Sequence, residues 1–262
     1  TLQVDGAITG SSTINGVGIS YNISNFDQSL LISNDAGTGT LSNASNNTGL
    51  GHEVFDDLTT GDQNTGVGSL ALTKLTTGSN NTAIGVVALT ALTTGSLNTA
   101  VGDNALAANT TASDNTAVGR FALGANTTAS RNTAVGFEGL KANTTGESNS
   151  AVGYQALDAN TTGASNTAIG YASLGANTTA SNNTAVGLFA LLGNTTGGEN
   201  VAVGRGALSG SNTGGNNISV GYTSMAANTS GGNNVAIGRD ALTANTTASN
   251  NTSVGHNSLA AN

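Results

Sequence analysis

One period governs this sequence. The pentapeptide Asn-Thr-Ala-Val-Gly stands at Asn115 to Gly119 and again, 17 residues on, at Asn132 to Gly136. Asn opens the repeat at 47, 64, 81, 98 and every 17th residue to 251. Gly stands at position five each time, from Gly51 to Gly255, and position four is always aliphatic, from Leu50 through Val118 to Val254. Twelve full repeats run from Asn47 to Asn250, and a thirteenth is cut at Asn262, with no insertion or deletion. A fixed period of this kind is the signature of a solenoid, in which one unit buries its apolar face only by stacking on its neighbours.

Seventeen residues are too few for a helix pair with its loops, and the Gly, Asn, Thr and β-branched content disfavours helix. Each repeat therefore reads as one coil of a β-solenoid, and the expected fold is all-β. In the repeat Asn115 to Arg131 the expected strands are Thr116 to Gly119 and Phe121 to Leu123, with the polar run 126–130 returning the chain. Strand alternation puts Val118 on the opposite face from Ala117 and Gly119. The aliphatic position four and the position-nine column (Phe55, Leu72, Leu89 and so on to Leu259) are the only large apolar sites kept throughout. They are expected to stack as two columns inside the coil. The small residues at positions three and five then form a face free to pack against other chains, which a core this thin needs. The Gly at position five supplies a positive φ or a close backbone approach. The Asn at position one fits turn geometry, an Asx bond or a ladder of stacked amides.

Three segments follow from the period. Residues 1–27 form a β-rich shaft or neck with turns at Asp5-Gly6 and Asn15-Gly16, residues 28–46 a degenerate capping coil, and residues 47–262 the array. Thr1 opens the chain and Asn262 interrupts a repeat, as expected of a piece of a longer protein. At about 4.8 Å per coil the array would run roughly 60 Å.

Composition removes several functions. Fourteen acids against six bases give a net charge of −8 with no basic cluster, which argues against nucleic acid. The absence of Cys removes disulfides, thiol chemistry and zinc fingers together. No apolar run approaches the roughly 20 residues that span a bilayer, so no membrane insertion is expected in this segment. No phosphate-binding loop is present. His52 and His256 occupy position six of the first and last repeats, without a repeating Ser or acid partner. Glu53, Asp56, Asp57 and Asp62 are acidic enough to attract a cation but lack a calcium-loop spacing and read as a solvated cap. No catalytic residue, metal ligand or cofactor is assigned, and no enzyme activity is expected.

Positions six and seven vary freely and so are expected to point outward. They carry the aromatics Phe121, Phe137, Tyr154, Tyr171, Phe189 and Tyr222, a ridge that is either solvated, in contact with a neighbouring chain, or able to stack on sugar rings. A Thr pair recurs at positions thirteen and fourteen, as at Thr110-Thr111 and Thr127-Thr128, and lapses at Asn212-Thr213 and Thr229-Ser230. Stacked Thr columns on a flat face can order water and bind ice. The match of Asn109-Thr110-Thr111 and its copies to the glycosylation sequon is generated automatically by the repeat.

Asn-Thr-Ala-Val-Gly, a two-residue gap and Ala-Leu resemble the Asn-Ser-Val-Ala-Ile-Gly repeats in the heads of trimeric autotransporter adhesins. Closer still is the Asn-Thr-Ala-Ile-Gly-Tyr-Gln-Ala-Leu type of phage tail-fibre and tail-fibre-like proteins, which Gly153-Tyr154-Gln155-Ala156-Leu157 matches directly. Leu2-Gln3-Val4-Asp5-Gly6-Ala7-Ile8 is similar to tail-fibre shaft sequence. The resemblance covers roughly residues 28 to 262. It implies a left-handed parallel β-roll assembled as a homotrimeric fibre, outside the cell, on a virion appendage or a bacterial surface. The implied partners are the chain's own copies and a cell-surface glycan or receptor. The repeats of adhesin heads are typically shorter, so a longer return loop is expected here. Nothing matches the self-cleaving chaperone domain that ends many tail-fibre relatives, so no protease activity is carried over. The expected function is a rigid trimeric spacer or adhesive shaft. The alternatives are a surface adhesin binding through the outer ridge and a monomeric ice-binding solenoid.

Overall fold

The computed structural model describes the backbone of residues 10–14, 17–23, 26–33 and 41–261, and side chains of 30–32 and 41–261. It is an all-β parallel solenoid of 17-residue coils, with no helix among the described residues. The chain divides into two units, Thr1–Phe121 and Ala122–Asn262. The first opens with β1 (Gly10–Ile14), β2 (Val17–Ile23) and β3 (Phe26–Ser33), paired antiparallel in that order. β3 then lies parallel to β4 (Thr48–Leu50), and β5 (Thr65–Val67), β6 (Thr82–Ile84), β7 (Thr99–Val101) and β8 (Thr116–Val118) follow in parallel. The second unit carries β9 (Thr133–Val135), β10 (Ser150–Val152), β11 (Thr167–Ile169), β12 (Thr184–Val186), β13 (Val201–Val203), β14 (Ile218–Val220), β15 (Val235–Ile237) and β16 (Thr252–Val254), each parallel to the next. Within each unit, from β4 on, a strand residue faces its equivalent 17 residues on in the next strand, as in Ser150↔Thr167. The expected turns at Asp5-Gly6 and Asn15-Gly16 lie outside the described residues.

Each coil has one strand, not two. The expected second strand at Phe121 to Leu123 is a turn, because Phe121 and Leu123 take left-handed φ values of +59° and +51°. Positions seven and nine do this in every described coil, although a non-glycine residue there costs roughly 1–2 kcal/mol. Cross-coil hydrogen bonds hold them in place. The N–H of Gln155 donates to Phe137 O in the preceding coil at 2.9 Å, and that of Leu157 to Ser173 O in the following one at 3.0 Å. The position-five glycine meets both of its expected requirements. Gly153 has φ +136°, and a Cβ added to it would lie 2.5 Å from the carbonyl oxygen of Gly170.

The core lies on the opposite face of the strand from the one the sequence suggests. Position three is inside and position four is outside: Ala151 is fully buried, while Val152 is 39% exposed. The interior is filled by three side chains per coil, the strand's Ala and the turn's positions eight and nine, such as Ala156 and Leu157. A coil this narrow has room for one strand methyl, so alternation sends positions two and four outward. The small-residue face expected to meet another chain is therefore the lining of the solenoid. Its volume is balanced locally. Where position eight grows to Val54, position three shrinks to Gly66, whose added Cβ would meet Val54 Cγ1 at 2.7 Å. Leu31 of β3 occupies the equivalent space over Gly49.

Two ladders of buried amides line the remaining corners. At position one, Asn149 Oδ1 accepts from Asn166 N (2.9 Å) and Asn166 Nδ2 (3.2 Å), and Asn166 Nδ2 also donates to Ala180 O (2.8 Å). Of the readings open for this Asn, the stacked ladder is the one the fold uses. The second ladder runs at position twelve, where Asn160 Nδ2 donates to Asn143 Oδ1 and to Gly163 O, both at 2.9 Å. In the first unit the same corner is filled by Leu58, Leu75 and Leu92 before Asn109. In the coil of Asn200, Asn212 reaches in from position thirteen and continues the ladder from Asn194 (3.0 Å) to Asn228 (2.9 Å). The lapse of the Thr pair there is this one-residue shift. No buried side-chain polar atom among the described residues lacks a partner.

Candidate interaction faces

The solenoid offers an outward strand face and an outward ridge. On the strand face, positions two and four alternate with the buried Ala, and no charged residue occurs at either position in any coil. In the first unit position two is Thr in all five strands from Thr48 to Thr116. In the second it reads Thr133, Ser150, Thr167, Thr184, Val201, Ile218, Val235 and Thr252. Position four is aliphatic throughout, and Ile169 and Ile237 keep 43% and 41% of their surface exposed. The residues that most resemble a core in the sequence are thus an uncharged apolar column on the outside.

The ridge at positions six and seven follows from the in-register stacking, which sets equivalent side chains one coil apart. In the second unit Phe137 and Tyr154 stack with centroids 5.2 Å apart, and Tyr154 and Tyr171 at 5.1 Å. Phe189 meets Tyr171 edge-on at 5.4 Å. Phe137, Tyr154, Tyr171 and Phe189 are brought together in this way. Because Tyr154 has a neighbour on both ring faces, it presents its edge and hydroxyl outward rather than a free face for a sugar. Tyr222 stands apart from the stack, with the guanidinium carbons of Arg205 and Arg239 at 5.6 and 5.4 Å from its centroid. Phe121, in the first unit, lies under Arg120 at 4.5 Å.

The other sequence candidates have structural employment. Position-thirteen hydroxyls donate to the next coil, as Thr144 Oγ1 to Thr161 O at 3.0 Å, while position fourteen is exposed. The Asn of each Asn-Thr-Thr sequon from Asn109 is buried in the second ladder, so its amide is not offered for glycosylation in the folded chain. Asp62 Oδ1 accepts from Ser45 N at 2.7 Å, and His52 Nε2 lies 3.5 Å from Glu53. Among the described residues no three His, Cys, Asp or Glu gather in a way that could hold a metal ion. Beside the ridge, Glu138 binds Lys141 (2.7 Å) and Gln155 (2.8 Å). Burial, aided by the charge of Glu138, raises the carboxyl of Asp158 above its ordinary range. A hydrogen bond from the Thr223 hydroxyl, then Arg239, holds that of Asp240 below it.

No family model matches the chain, and comparison with curated proteins and with solved structures yields no match. No helix among the described residues is long and apolar enough to cross a membrane.

Proposed function

We propose that this chain is a structural segment of an extracellular attachment fibre, on a virion appendage or a bacterial surface. In this reading it is built from three copies that join through their strand faces, each a left-handed roll. The observation that carries the reading is the uncharged aliphatic column at position four. Fully burying a Val or Ile contributes about 1.5–3 kcal/mol, so covering the two-fifths still exposed contributes roughly 0.6–1.2 kcal/mol per coil. Over the eight strands of the second unit this reaches roughly 5–10 kcal/mol, comparable with the roughly 4–15 kcal/mol that association costs. A contact between copies of a chain with net charge −8 is favoured where it is free of charge, and no charged residue occupies position two or four of any coil. The number three comes from the resemblance to adhesin heads and tail fibres. In this reading the segment spaces and presents the attachment site, with the tyrosine edges of the ridge facing outward to a receptor.

Light scattering on the isolated 25.4 kDa chain tests this directly. A native mass three times that value is expected, and Val152→Asp with Ile169→Asp should reduce it to the monomer while leaving the far-ultraviolet spectrum unchanged. A monomeric parent chain refutes the reading. The exposed Thr and Val rows of the first unit then become the surface to test for thermal hysteresis in ice growth.

A further inference from the structure

We propose that Val201, Ile218 and Val235 set the axial register of the copies in the assembled fibre. The inference rests on the strand-face association above. A periodic interface is degenerate, because sliding one copy by a coil, about 4.8 Å, lays Thr over Thr and Val over Val again. Strands without a distinguishing pattern are prone to such slippage. A slipped copy leaves unpaired coils that recruit further copies, which turns a closed assembly into an open one.

The sequence breaks this degeneracy at one place. Position two is Thr or Ser everywhere except in the consecutive strands β13, β14 and β15, where Val201, Ile218 and Val235 face one another along the ladder. Their outward partners at position four are Val203, Val220 and Ile237, so six aliphatic side chains form one patch two wide and three deep. Ile218 is 41% exposed, at the position where Thr presents a hydroxyl in most other coils. The extra methyls do not serve the core. On the inner side of these same strands Ser219 replaces Ala, and its hydroxyl donates to Ser224 O at 2.8 Å. The occupant is a second copy of this chain. The face is uncharged while the chain carries −8, and an identical chain is the partner that carries the same patch at the same spacing. With copies parallel and level, patch covers patch. A one-coil slip sets an aliphatic side chain against Thr at both ends of the patch, which disfavours the slipped form by about tenfold per interface.

The chain has no Cys, so single thiols can be placed at will. Chains carrying Ser150→Cys and chains carrying Thr167→Cys, on the outward face of β10 and β11, are mixed in equal amounts, refolded together and treated with a thiol oxidant. A disulfide needs Cβ atoms about 3.5–4.5 Å apart, less than one coil, so level copies give 150–150 and 167–167 bonds and slipped copies give 150–167 bonds. Peptide mapping should show a large excess of the like-with-like bonds. In a background of V201T, I218T and V235T, at a chain concentration high enough for light scattering to show the variant assembled, the proportion of 150–167 bonds should rise about tenfold. A parent chain without the like-with-like excess, or a triple variant with the parent's ratio, overturns the register assignment and leaves the association standing. A parent chain that is monomeric by light scattering overturns both, and does so before any thiol is oxidised.

Discussion

The Asn166 rung of the first amide ladder and the Asn143 rung of the second carry different loads, and truncating each should show it. In the first ladder Asn166 Oδ1 accepts from the backbone N–H of Asn183 at 3.0 Å, and no other acceptor serves that buried N–H. In the second, Asn143 bonds to Asn126 Oδ1 (3.0 Å), Gly146 O (2.9 Å) and Asn160 Nδ2 (2.9 Å). Two of those three groups keep a partner without it: Gly146 O also accepts from Asn132 Nδ2 at 2.9 Å, and Asn160 still donates to Gly163 O. Orphaning a buried backbone donor costs about 1–3 kcal/mol, to which the lost amide bonds add about 1 kcal/mol. Asn166→Ala should therefore destabilise by roughly 2–4 kcal/mol and Asn143→Ala by about half as much. Asn143→Leu should recover part of the loss, because Leu58, Leu75 and Leu92 already fill that corner in other coils. Coils of a solenoid can open separately, so a global melt is a blunt readout. Hydrogen exchange by mass spectrometry across 180–186 is the sharper one, and Asn166→Ala should speed exchange there by about 30-fold or more. Rungs of the second ladder also serve backbone, as Asn109 and Asn212 accept from Ala112 N and Gly214 N at 3.0 Å. Equal protection in the two Ala variants would therefore refute only the claim that the Asn166 rung carries more than the Asn143 rung.

Two further outcomes follow from local chemistry. Val87 is β-branched at φ +61°, where the next coil has Asn104 at +58°, so Val87→Asn should raise stability in urea unfolding by about 0.5–1 kcal/mol as left-handed strain is relieved. Asp158 binds its proton more tightly folded than unfolded, so its contribution favours the fold below the ordinary carboxyl value near 3.8 and is lost as pH rises through the elevated folded value. At neutral pH the carboxylate is a net cost, and Asp158→Asn should be more stable than the parent at pH 7, with the difference vanishing below about pH 4.

The period made the coil, the parallel in-register stacking and the positive φ of Gly153 legible without coordinates, because all three follow from one residue recurring at one spacing. The second strand was misread because apolar residues at Phe121 and Leu123 satisfy strand alternation. Nothing in a side chain announces that a non-glycine backbone will be held left-handed by hydrogen bonds from the coils on either side. The ladder at position twelve was hidden inside a polar run that resembles any surface loop. Its available signal was the Leu at 58, 75 and 92, since a position that accepts Leu or Asn, and little else, is buried and hydrogen-bonded. Inside and outside of the strand were exchanged for a similar reason. Ala and Val columns are equally regular, and only the width of the coil, set by the turn at positions eight and nine, decides which of them fits.

That exchange leaves a question of cause, since an outward aliphatic column has two physical explanations. β-branched residues favour the pleated strand whatever covers them, so Val at position four could be kept for conformation alone. Position two argues against this, because Thr, equally branched and better solvated, serves there in most coils, and Leu50 at position four is not β-branched. Replacing Val135, Val152, Val186 and Val203 together with Thr separates the two. The substitution keeps shape and strand preference and exchanges one methyl for a hydroxyl in each of four coils. If the column serves association, the variant should keep the parent's circular dichroism and lose its oligomer, since each exchange removes an apolar contact and adds a hydroxyl to desolvate at about 1–3 kcal/mol. If the oligomer persists with its mass unchanged, the aliphatic column serves strand conformation only, and the copies of this chain meet through some other face.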